Sequence, residues 1–487
     1  MAIRTRITPA VRLPSLAPRL ELTTGAIGIL ATLYFARMLA LQGFTTKLEA
    51  LVGLIVFTAL AVGFIAVPWL MVAGAIPFFA LIPALKIFIT PLVGGLKDVI
   101  VFAAVAASCV LALQRRAARR PAPIDHVVLA LMGGVFVLYL VNVGGLISGE
   151  TGHNNPWFQG VRLINEPLSM CFVGFTLREP RRVLAAARTS LLLTAGGMAL
   201  VGLVQQVLGV NRLVQYGYTY GTNVRQLGSH LRSFGTLDDP FVYASFLLLG
   251  LAILAASPRL LARHWALLGL LSAGLLVSYV RTAAVVALAL LGVALARRGR
   301  SAAAAFIVLI AITAAAATLI SASDQAQTQT VAVNPTTYLT LNGRTKLWES
   351  QLGHSSKWPF GRGVGAVGSA AARAERSLSG KVVIGPARSG TTVVDSGYLT
   401  LIADVGLLGL AVFLVLLSRL VSLARRAVAI GVEAGWLVIA VVSVFALDAL
   451  SREAFTSYPS SYFTWLLLGL GGAVCVTERR SRGMSPV

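Results

Sequence analysis

Charged residues are scarce in this chain. Of its 487 residues, 12% are charged and 57% are hydrophobic. Soluble globular domains carry about 25% charged residues, so this composition excludes a chain that faces water over most of its surface. Apolar runs long enough to cross a bilayer recur from one end of the sequence to the other, and they indicate a membrane protein rather than several soluble domains.

Cysteine and histidine are also rare, at three and five residues. Cys109, Cys171 and Cys475 each lie inside an apolar run without the spacing of a metal or redox site, so we expect small core residues. No Asp-x-Asp motif or histidine cluster occurs in the segments expected outside the membrane. The sequence therefore predicts neither a metal site nor a cofactor.

The few charges that are present are mostly basic. The chain has 41 Lys and Arg against 18 Asp and Glu, a net charge of +23. The arginines form short clusters between apolar runs, which is how membrane topology is encoded, so no nucleic-acid partner is expected. The basic segment 1–21 is followed by an apolar run without a small-residue cleavage site, so no signal peptide is predicted.

The sequence predicts an all-α polytopic membrane protein with 12–14 transmembrane helices and one long extracytoplasmic loop. A membrane helix needs about 20 mostly apolar residues. Fourteen segments approach this requirement, and those near 163–177 and 281–296 are the weakest. The candidate spans are 23–42, 49–66, 69–88, 97–113, 125–146, 163–177, 184–208, 240–256, 264–279, 281–296, 302–321, 397–418, 430–449 and 462–477.

Arginine clusters set the orientation of these spans. With fourteen spans, every cluster falls on the same side of the membrane, and the positive-inside rule makes that side the cytoplasm. We therefore predict a protein of the inner (cytoplasmic) membrane with both termini in the cytoplasm. The clusters lie at 4–19, 115–120, 178–182, 259–263, 297–300, 419–426 and 479–482.

The long outer loop separates two groups of helices. Loops of its length are usually functional or disordered. Its tryptophans and a glycine-rich turn at 361–368 predict that parts of it fold. The predicted parts are a cytoplasmic tail at 1–22, eleven helices at 23–321, the loop at 322–395, three helices at 396–477 and a cytoplasmic tail at 478–487.

Basic residues on the outer side oppose the topology bias and need a physical reason. Arg281 lies between two apolar runs with almost no loop around it. An arginine there usually faces the bundle interior or a wet cavity, which is the preferred interpretation, and the alternative is that Arg281 reaches a lipid phosphate. Arg232 precedes the span that starts at Pro240, where Asp238 and Asp239 could cap the helix or pair with Arg232.

Arginines that converge at an outer membrane face would bind a dianionic group, because guanidinium groups hold phosphate oxygens bidentately. Arg344 and Trp348, four residues apart, would share one face of a short helix. In a membrane, the phosphate belongs to a lipid head group or a lipid-linked diphosphate. Cations placed in advance stabilise a departing diphosphate more in the transition state than in the ground state.

Four patches carry a family resemblance: RSFG and DP within 232–240, SYVRTA at 278–283, R, W and PFGRGVG within 344–365, and DSGYL and DVGLLG within 395–409. In order and spacing they are similar to the O-antigen ligase and O-antigen polymerase superfamily of bacterial envelope glycosyltransferases. Lys97 and Asp98 are a further, weaker match. The N-terminal spans resemble the family only in hydropathy.

The last patch departs from the family at its reactive position. Ligases of the family carry His, then Asn, Ser or Gln, then nine residues and Gly-x-x-Gly. Here Ser396, nine residues, Gly406 and Gly409 follow the pattern, and Asp395 stands in the His position. A carboxylate there would act as general base or orient a sugar, and an aspartate also caps helices well. Both interpretations stay open.

The resemblance implies a metal-independent, inverting glycosyltransferase without cofactors. Its donor would be a glycan on undecaprenyl diphosphate, its acceptor a hydroxyl on the outer face of the inner membrane, and its partners membrane lipids and other polysaccharide assembly proteins. Asp395 favours a polymerase of exopolysaccharide or O-antigen over a ligase for lipid A–core. The implied catalytic residues are Asp395, Arg281 and Arg232, and the implied substrate-binding residues are Arg344, Trp348, Ser396, Tyr398, Asp239 and Arg162.

Two other functions fit the spans and the buried arginines: a lipid-linked oligosaccharide flippase or other transporter, and a non-enzymatic component of envelope assembly. No internal repeat relates the halves of the chain, although many transporters show one. The long outer loop favours a site on one face over alternating access. The enzyme is therefore the preferred interpretation.

Overall fold

The all-α architecture predicted from the sequence is confirmed. The structure is a computed structural model, and within the residues it describes the chain is almost wholly helical. A two-stranded hairpin and a short 3-10 helix interrupt the helices there. The described residues are 47–90, 93–118, 123–149, 155–220, 223–227, 230–257, 264–280, 282–283, 286, 290, 294, 348–349, 352–353, 359–379 and 396–483.

The described elements are numbered in chain order. The helices before the hairpin are α1 (Lys47–Ala66), α2 (Pro68–Phe88), α3 (Val93–Ala117), α4 (His126–Val141), α5 (Val143–Ser148), α6 (Asn155–Thr176) and α7 (Pro180–Gln215). The antiparallel hairpin joins β1 (Arg225–Leu227) to β2 (His230–Arg232). After it come α8 (Pro240–Ala256), α9 (Trp265–Leu276), α10 (Gly368–Ser379), α11 (Gly397–Ala429), α12 (Glu433–Asp448), the 3-10 helix Ala454–Thr456 and α13 (Ser460–Ser481).

Six stretches of helix among the described residues are long and apolar enough to cross a membrane: α2, α3, α4 with α5, α7, α11 and α13. Shorter apolar helices are Leu51–Ala66, α8 and α9. The chain is thus a multi-pass membrane protein. The total of 12–14 spans stays a prediction, because 23–42, 302–321 and most of 281–296 lie outside the described residues.

Arginines from distant parts of the chain meet at one end of the helix bundle. Arg115 donates to the Leu177 carbonyl at 3.2 Å, which joins the end of α3 to the end of α6. Arg419 pairs with Asp125 at 3.1 Å, which joins α11 to the residue that caps α4. These contacts agree with the single side that the positive-inside rule assigns to the arginine clusters, while its cytoplasmic identity stays a prediction.

α13 is a central helix, and all of its side chains from Ser460 to Val476 are buried. It crosses α6 closely because glycines remove side chains at the crossing. A Cβ on Gly174 would come within 2.6 Å of a backbone nitrogen of α13, and one on Gly469 within 2.1 Å of the Cys171 carbonyl oxygen. Small residues allow this close approach of membrane helices, and here it brings polar side chains of α6 and α13 together.

Two prolines inside α2 leave backbone carbonyls without their helical donors, because proline has no N–H to offer four residues back. Side-chain hydroxyls from other segments donate to these carbonyls instead. The Ser190 hydroxyl of α7 donates to the Ala73 carbonyl at 2.7 Å, and the Tyr458 hydroxyl donates to the Phe79 carbonyl at 2.9 Å. α2 is therefore fixed to α7 and to the segment before α13. The prolines are Pro77 and Pro83.

Candidate functional site

A buried set of polar side chains joins α3, α6 and α13 near the N-terminal end of α3. Lys97 Nζ lies 2.8 Å from both Asp98 Oδ1 and Glu166 Oε2. Arg162 Nε lies 2.9 Å from Glu166 Oε1, and its Nη2 bonds to Asp98. The Tyr462 hydroxyl accepts from Lys97 at 2.9 Å and donates to Glu166 at 2.7 Å. These five side chains are called the charged network below.

The charged network balances two cations with two carboxylates, which is how charges tolerate burial in a membrane protein. The side chains of Lys97, Asp98 and Glu166 are 11%, 5% and 6% exposed, whereas that of Arg162 keeps 23%. Arg162, a predicted substrate-binding residue, is therefore the charged member most open to a ligand. Its partners hold its position.

Lys86, near the end of α2, is a cation that no sequence motif signals. Its stem crosses the start of α3, since a Cβ on Gly94 would lie 2.5 Å from Lys86 Cε. Asp238, Arg373 and the charged network all lie near enough to act on its charge. Among the residues that the structure describes, Lys86 makes no hydrogen bond or ion pair.

Tyr458 connects the charged network to the segment around Asp238. Lys97 Nζ lies 5.5 Å from the centre of the Tyr458 ring. Burial, together with the carboxylates of Asp98 and Asp238, raises the pKa of Tyr458, so its phenol stays protonated. Tyr458 thus separates the two acidic groups with a neutral side chain whose ring faces a cation.

Arg232 ends β2, and the hairpin sets its position. Its Cα pairs with that of Arg225 in the register of the two strands. Its Nε donates to the Ser278 carbonyl at 3.3 Å, and its guanidinium carbon lies 4.6 Å from the centre of the Phe241 ring. The structure thus brings the first two of the four sequence patches into contact.

Asp239 caps α8, which is one of the roles predicted for it, and its ion pair is with Arg225 rather than with Arg232. Its Oδ1 accepts the Phe241 N–H at 2.6 Å, and Pro240 occupies the first helical turn. Its Oδ2 pairs with Arg225 at 3.0 Å. Asp239 therefore ties the hairpin to the start of α8, which limits the freedom of the arginine at the end of β2.

The RSFG turn is held by side chains and backbone of α7. Gln205 Oε1 accepts the N–H groups of Phe234 and Gly235 at 3.0 and 2.9 Å. Gln205 Nε2 donates to the Gly235 carbonyl at 2.6 Å, and the Ser233 hydroxyl donates to the Gly202 carbonyl at 2.6 Å. These bonds satisfy the buried backbone of the turn, so its arginine starts from a rigid base.

The glycine-rich turn at 361–368 docks on α11 where that helix is broken. The break is at Gly406, whose φ of 71° and ψ of −171° are not helical. The N–H groups of Arg362 and Gly363 donate to the Ala403 carbonyl at 2.7 and 3.3 Å. The third and fourth sequence patches therefore form one packed unit.

A buried aspartate, Asp404, fixes this unit to α4. Its Oδ1 accepts the Gly365 N–H at 3.0 Å, and its Oδ2 accepts the Tyr139 hydroxyl at 3.2 Å. Asn142 Oδ1 accepts the neighbouring Val364 N–H at 2.7 Å. The glycine-rich turn thus has its backbone donors satisfied by side chains of the bundle, which gives it one position.

Gly406→Ala is expected to detach the glycine-rich turn from α11. The φ and ψ of Gly406 are accessible essentially only to glycine, at a cost of about 1–3 kcal/mol to other residues, and a Cβ there would lie 2.0 Å from the Pro359 carbonyl oxygen. Limited proteolysis should cut residues 359–379 about tenfold faster than in the wild type. The control is Gly133→Ala, where a Cβ meets nothing within 4 Å. Equal cleavage of both variants would contradict the docking.

Ser396 is the N-cap residue of α11, yet its side chain does not cap the helix. Its hydroxyl donates to the Ala449 carbonyl at 3.2 Å. The Gly397 N–H is bonded to the carbonyls of Ala449 and Arg452 at 2.8 and 2.9 Å. The end of α12 and the residues after it thus supply acceptors to the start of α11.

Arg452 is buried beside the start of α11, with 7% of its surface exposed. Its Nε lies 2.7 Å from Asp448 Oδ1, and its Nη2 bonds to Oδ2 of the same carboxylate, which also accepts the Ser245 hydroxyl of α8. Arg452 Nη1 is buried without a hydrogen bond in the described part of the chain. The Arg452–Asp448 pair thus connects α8, through Ser245, to the start of α11, through Gly397.

Helix α10 lies inside the predicted loop and fastens it to the bundle. Both oxygens of Glu453 accept the Ser369 N–H at 3.1 Å, where the helix dipole favours a carboxylate. Gly368 is required at this contact, because its φ is 68° and a Cβ would lie 2.0 Å from Glu453 Oε1. Asn155 of α6 donates to the Ala374 carbonyl at 3.5 Å. No helix was predicted at 368–379.

Residues 266–414 match the family model described as O-antigen ligase. These residues are similar to the O-antigen ligase family and are called the O-antigen ligase domain below. The resemblance inferred from the sequence is confirmed, and three of the four patches lie within the matched residues. No curated protein matches the chain.

The O-antigen ligase domain contains the glycine-rich turn, α10 and the first turns of α11, whereas Arg232 and the charged network lie outside it. Tyr398 in α11 donates its hydroxyl to the Ala446 carbonyl at 2.9 Å and sets its ring against Phe455. Trp348 packs beside Val367, and its indole N–H is buried without a hydrogen bond in the described residues. Tyr398 is held by the protein, while Trp348 keeps an unused donor.

Three predicted site residues of the O-antigen ligase domain lie outside the described residues, so their roles stay predictions. Their nearest described neighbours are informative. Val280, just before Arg281, lies two residues after Ser278, whose carbonyl accepts a hydrogen bond from Arg232. Ser396, just after Asp395, is followed by Gly397, whose N–H is bonded to the Arg452 carbonyl. The three residues are Arg281, Arg344 and Asp395.

Proposed function

We propose that this protein is a membrane glycosyltransferase of the O-antigen ligase and polymerase type. It transfers or polymerises a glycan from an undecaprenyl-diphosphate-linked donor onto an acceptor hydroxyl on the outer face of the inner membrane. The observation that carries this proposal is the collection of cations at one end of the bundle, beside the O-antigen ligase domain. These cations are Arg232, Lys86 and the two in the charged network.

The proposed reaction is a direct displacement at the anomeric carbon with inversion. The acceptor oxygen forms the new glycosidic bond while the bond from the anomeric carbon to the diphosphate oxygen breaks. The lipid diphosphate leaves with the electron pair, and the acceptor proton passes to a base. We assign the base to the carboxylate of Asp395. Atoms and charges balance without a metal or a nucleotide sugar.

A leaving diphosphate needs cations that carboxylates have not already neutralised. Lys97 and Arg162 share two carboxylates, whereas Lys86 has no ion pair among the described residues. Lys86 is therefore the described cation best suited to the diphosphate, and Arg232, Arg281 and Arg344 are assigned there by the sequence. Cations fixed before the reaction stabilise the charge that develops on the leaving group.

The polymerase assignment and the orientation belong to the same proposal. Asp395 in place of the family histidine favours a polymerase of exopolysaccharide or O-antigen over a ligase for lipid A–core. The charged network lies at the outer face, the loop 322–395 is extracytoplasmic, and both termini are cytoplasmic. The arginine contacts at the other end of the bundle support this orientation.

Arg232→Ala is expected to lower kcat/KM for the lipid-diphosphate donor by about 100-fold, because one preorganised charge donor is lost. Arg232→Lys should restore only part of the rate, since an ammonium group lacks the planar fork. Initial rates with purified protein in liposomes measure both. The matched control is Arg225→Ala on the opposing strand, expected to stay within about threefold of the wild type. An equal loss of kcat/KM in Arg225→Ala would mean that Arg232 acts by holding the hairpin in place and not by binding the diphosphate.

A reconstituted assay separates an enzyme from a transporter. The full chain is placed in liposomes with a polyprenyl-diphosphate-linked oligosaccharide, and the glycan products are separated by size. Longer or transferred glycans are the expected result. Movement of the unchanged lipid between leaflets, with no new glycosidic bond, would replace the proposal with a flippase.

A further inference from the structure

An apolar groove of about 900 Å³ runs between α2 and α7. Small residues, including Ala80 and Gly197, form part of its wall and leave space between the two helices. Arg182 lies over the Trp69 ring at 4.6 Å at one end of the groove, and Thr236 lines the other end. The groove therefore extends along the helices from the arginine-cluster end of the bundle to the RSFG turn.

The length of the groove limits what can fill it. On α7 it extends from Arg182 to Val201, which is a rise of roughly 28 Å at about 1.5 Å per residue. The hydrocarbon core of a bilayer is about 30 Å thick, and one acyl chain of a phospholipid covers only about half of it. A single apolar chain that fills the groove must therefore be longer than a phospholipid acyl chain.

The groove ends beside the cations of the proposed site. Thr236 follows Arg232 by four positions and donates to the Ala80 carbonyl at 2.8 Å. Asp238, two positions further on, acts electrostatically on Lys86. One molecule with an anionic head and a long apolar tail would occupy both the cationic end and the groove.

Two of the hydroxyls that line the groove are used within the protein. The hydroxyls of Ser190 and Thr236 both donate to carbonyls of α2. Their hydrogen-bonding capacity as donors is used within the protein, so the groove offers a mainly apolar surface to an occupant. A sugar or a peptide would find few partners there, whereas a hydrocarbon chain requires none.

We propose that this groove binds the polyprenyl tail of the lipid diphosphate donor. The inference rests on the proposed function, because it assigns the tail of the same donor. It adds a second criterion for donor selection: the length of the carrier, and not only its diphosphate and sugar. Long carriers fill the groove towards Arg182, and short carriers fill only the part near Thr236.

Ala185→Phe tests the deep part of the groove. Ala185 is exposed and lines the groove far from Thr236, so a phenyl ring would obstruct a long tail. We expect the ratio of kcat/KM for undecaprenyl over geranyl donors to fall about tenfold, because part of the buried apolar contact is lost. The matched control is Ala130→Phe on α4, an exposed alanine outside the groove, which should keep the wild-type ratio.

Gly197→Leu tests the part of the groove near the site. A Cβ on Gly197 meets nothing within 4 Å, so the leucine fits on the helix and projects into the groove. We expect kcat/KM to fall several-fold with both long and short donors. The inference would be overturned if Ala185→Phe and Gly197→Leu lowered kcat/KM for the geranyl donor equally, because the effect would then not depend on position along the groove.

Photolabelling locates the tail directly. The probes are undecaprenyl diphosphate with a diazirine at the end of its tail and phosphatidylglycerol with a diazirine on its acyl chain. The polyprenyl probe is expected to label the 182–193 part of α7, and unlabelled undecaprenyl diphosphate should remove that label. Equal labelling by the phospholipid probe would make the groove an ordinary lipid contact. No label from either probe would mean that another apolar segment or a second copy fills it. Either outcome overturns the inference.

The two proposals fail in different ways. A wild-type protein that transfers no glycan from any lipid diphosphate refutes the proposed function. A wild-type protein that transfers glycan at the same kcat/KM from undecaprenyl and geranyl donors refutes only the binding of the tail in the groove. The photolabel does not depend on turnover, so it reports on the groove in either case.

Discussion

Asp395→Asn is expected to lower kcat for glycan transfer by about 100-fold or more, because an amide keeps the shape of the side chain but cannot accept the acceptor proton. Asparagine caps helices about as well as aspartate, so a loss of this size has no explanation in helix capping. Single-turnover rates in liposomes measure the effect, and the thermal midpoint of the solubilised variant checks its folding. An unchanged kcat would mean that Asp395 has only a structural role.

Asp395 immediately precedes the described start of α11. Ser396 occupies the N-cap position, and the carbonyls of Ala449 and Arg452 already take the Gly397 N–H. Asp395→His offers a second readout, since imidazole is the family's group at this position. We expect the Asp395→His variant to be active at neutral pH, unlike Asp395→Asn. Its activity should fall below about pH 6.5 as the imidazole protonates. The wild-type carboxylate should remain a base down to about pH 4.

Asp448→Asn is expected to destabilise the fold by about 3–5 kcal/mol, because it leaves the buried Arg452 without its carboxylate. Asparagine keeps a single acceptor oxygen, so Arg452 Nε and the Ser245 hydroxyl, which now bond to different oxygens of Asp448, would compete for it. The denaturation midpoint in detergent measures this loss. The double variant Asp448→Leu with Arg452→Met removes both charges and both desolvation costs, so it should regain most of the stability. A single variant as stable as the wild type would contradict the buried-pair interpretation.

The same double variant measures what Arg452 does in the site. Its Nη1 is buried beside the start of α11 with no hydrogen bond in the described residues. If the double variant is folded and transfers glycan at the wild-type rate, the Asp448–Arg452 pair contributes only to the stability of the fold. A folded double variant without transfer adds Arg452 to the substrate-binding residues.

Helices were predictable where local signals and apolar length agree. The predicted span 240–256 has the bounds of α8, because Asp239 caps it and Pro240 fits the first turn. The predicted span 184–208 ends where Gly209, with φ 72° and ψ 172°, interrupts α7. Helix α10 was missed because a membrane-length hydropathy criterion passes over a short polar helix, although its alanines, arginines and glutamate favour one.

The candidate site was predictable only where motifs mark it. The contact of Arg232 with Ser278 joins two segments that the family resemblance had already singled out. In the charged network the sequence marks Lys97, Asp98 and Arg162 but not the meeting of all its members, because these come from three helices, and Lys97 and Tyr462 are 365 positions apart. Lys86 stands at the end of an apolar run, where a lysine normally reaches for the membrane surface, so its place beside Asp238 required the structure.

The biogenesis of α2 depends on parts of the chain that are synthesised much later. Ser190 follows Ala73 by 117 positions, and Tyr458 follows Phe79 by 379. Until these partners emerge from the ribosome, two carbonyls face hydrocarbon without a donor, each at a cost of several kcal/mol. Co-translational insertion therefore delivers α2 in an unfinished state, and the arrival of the C-terminal segment completes it. Because Tyr458 borders the charged network and Tyr462 belongs to it, that network is also completed only after the C-terminal segment has been synthesised.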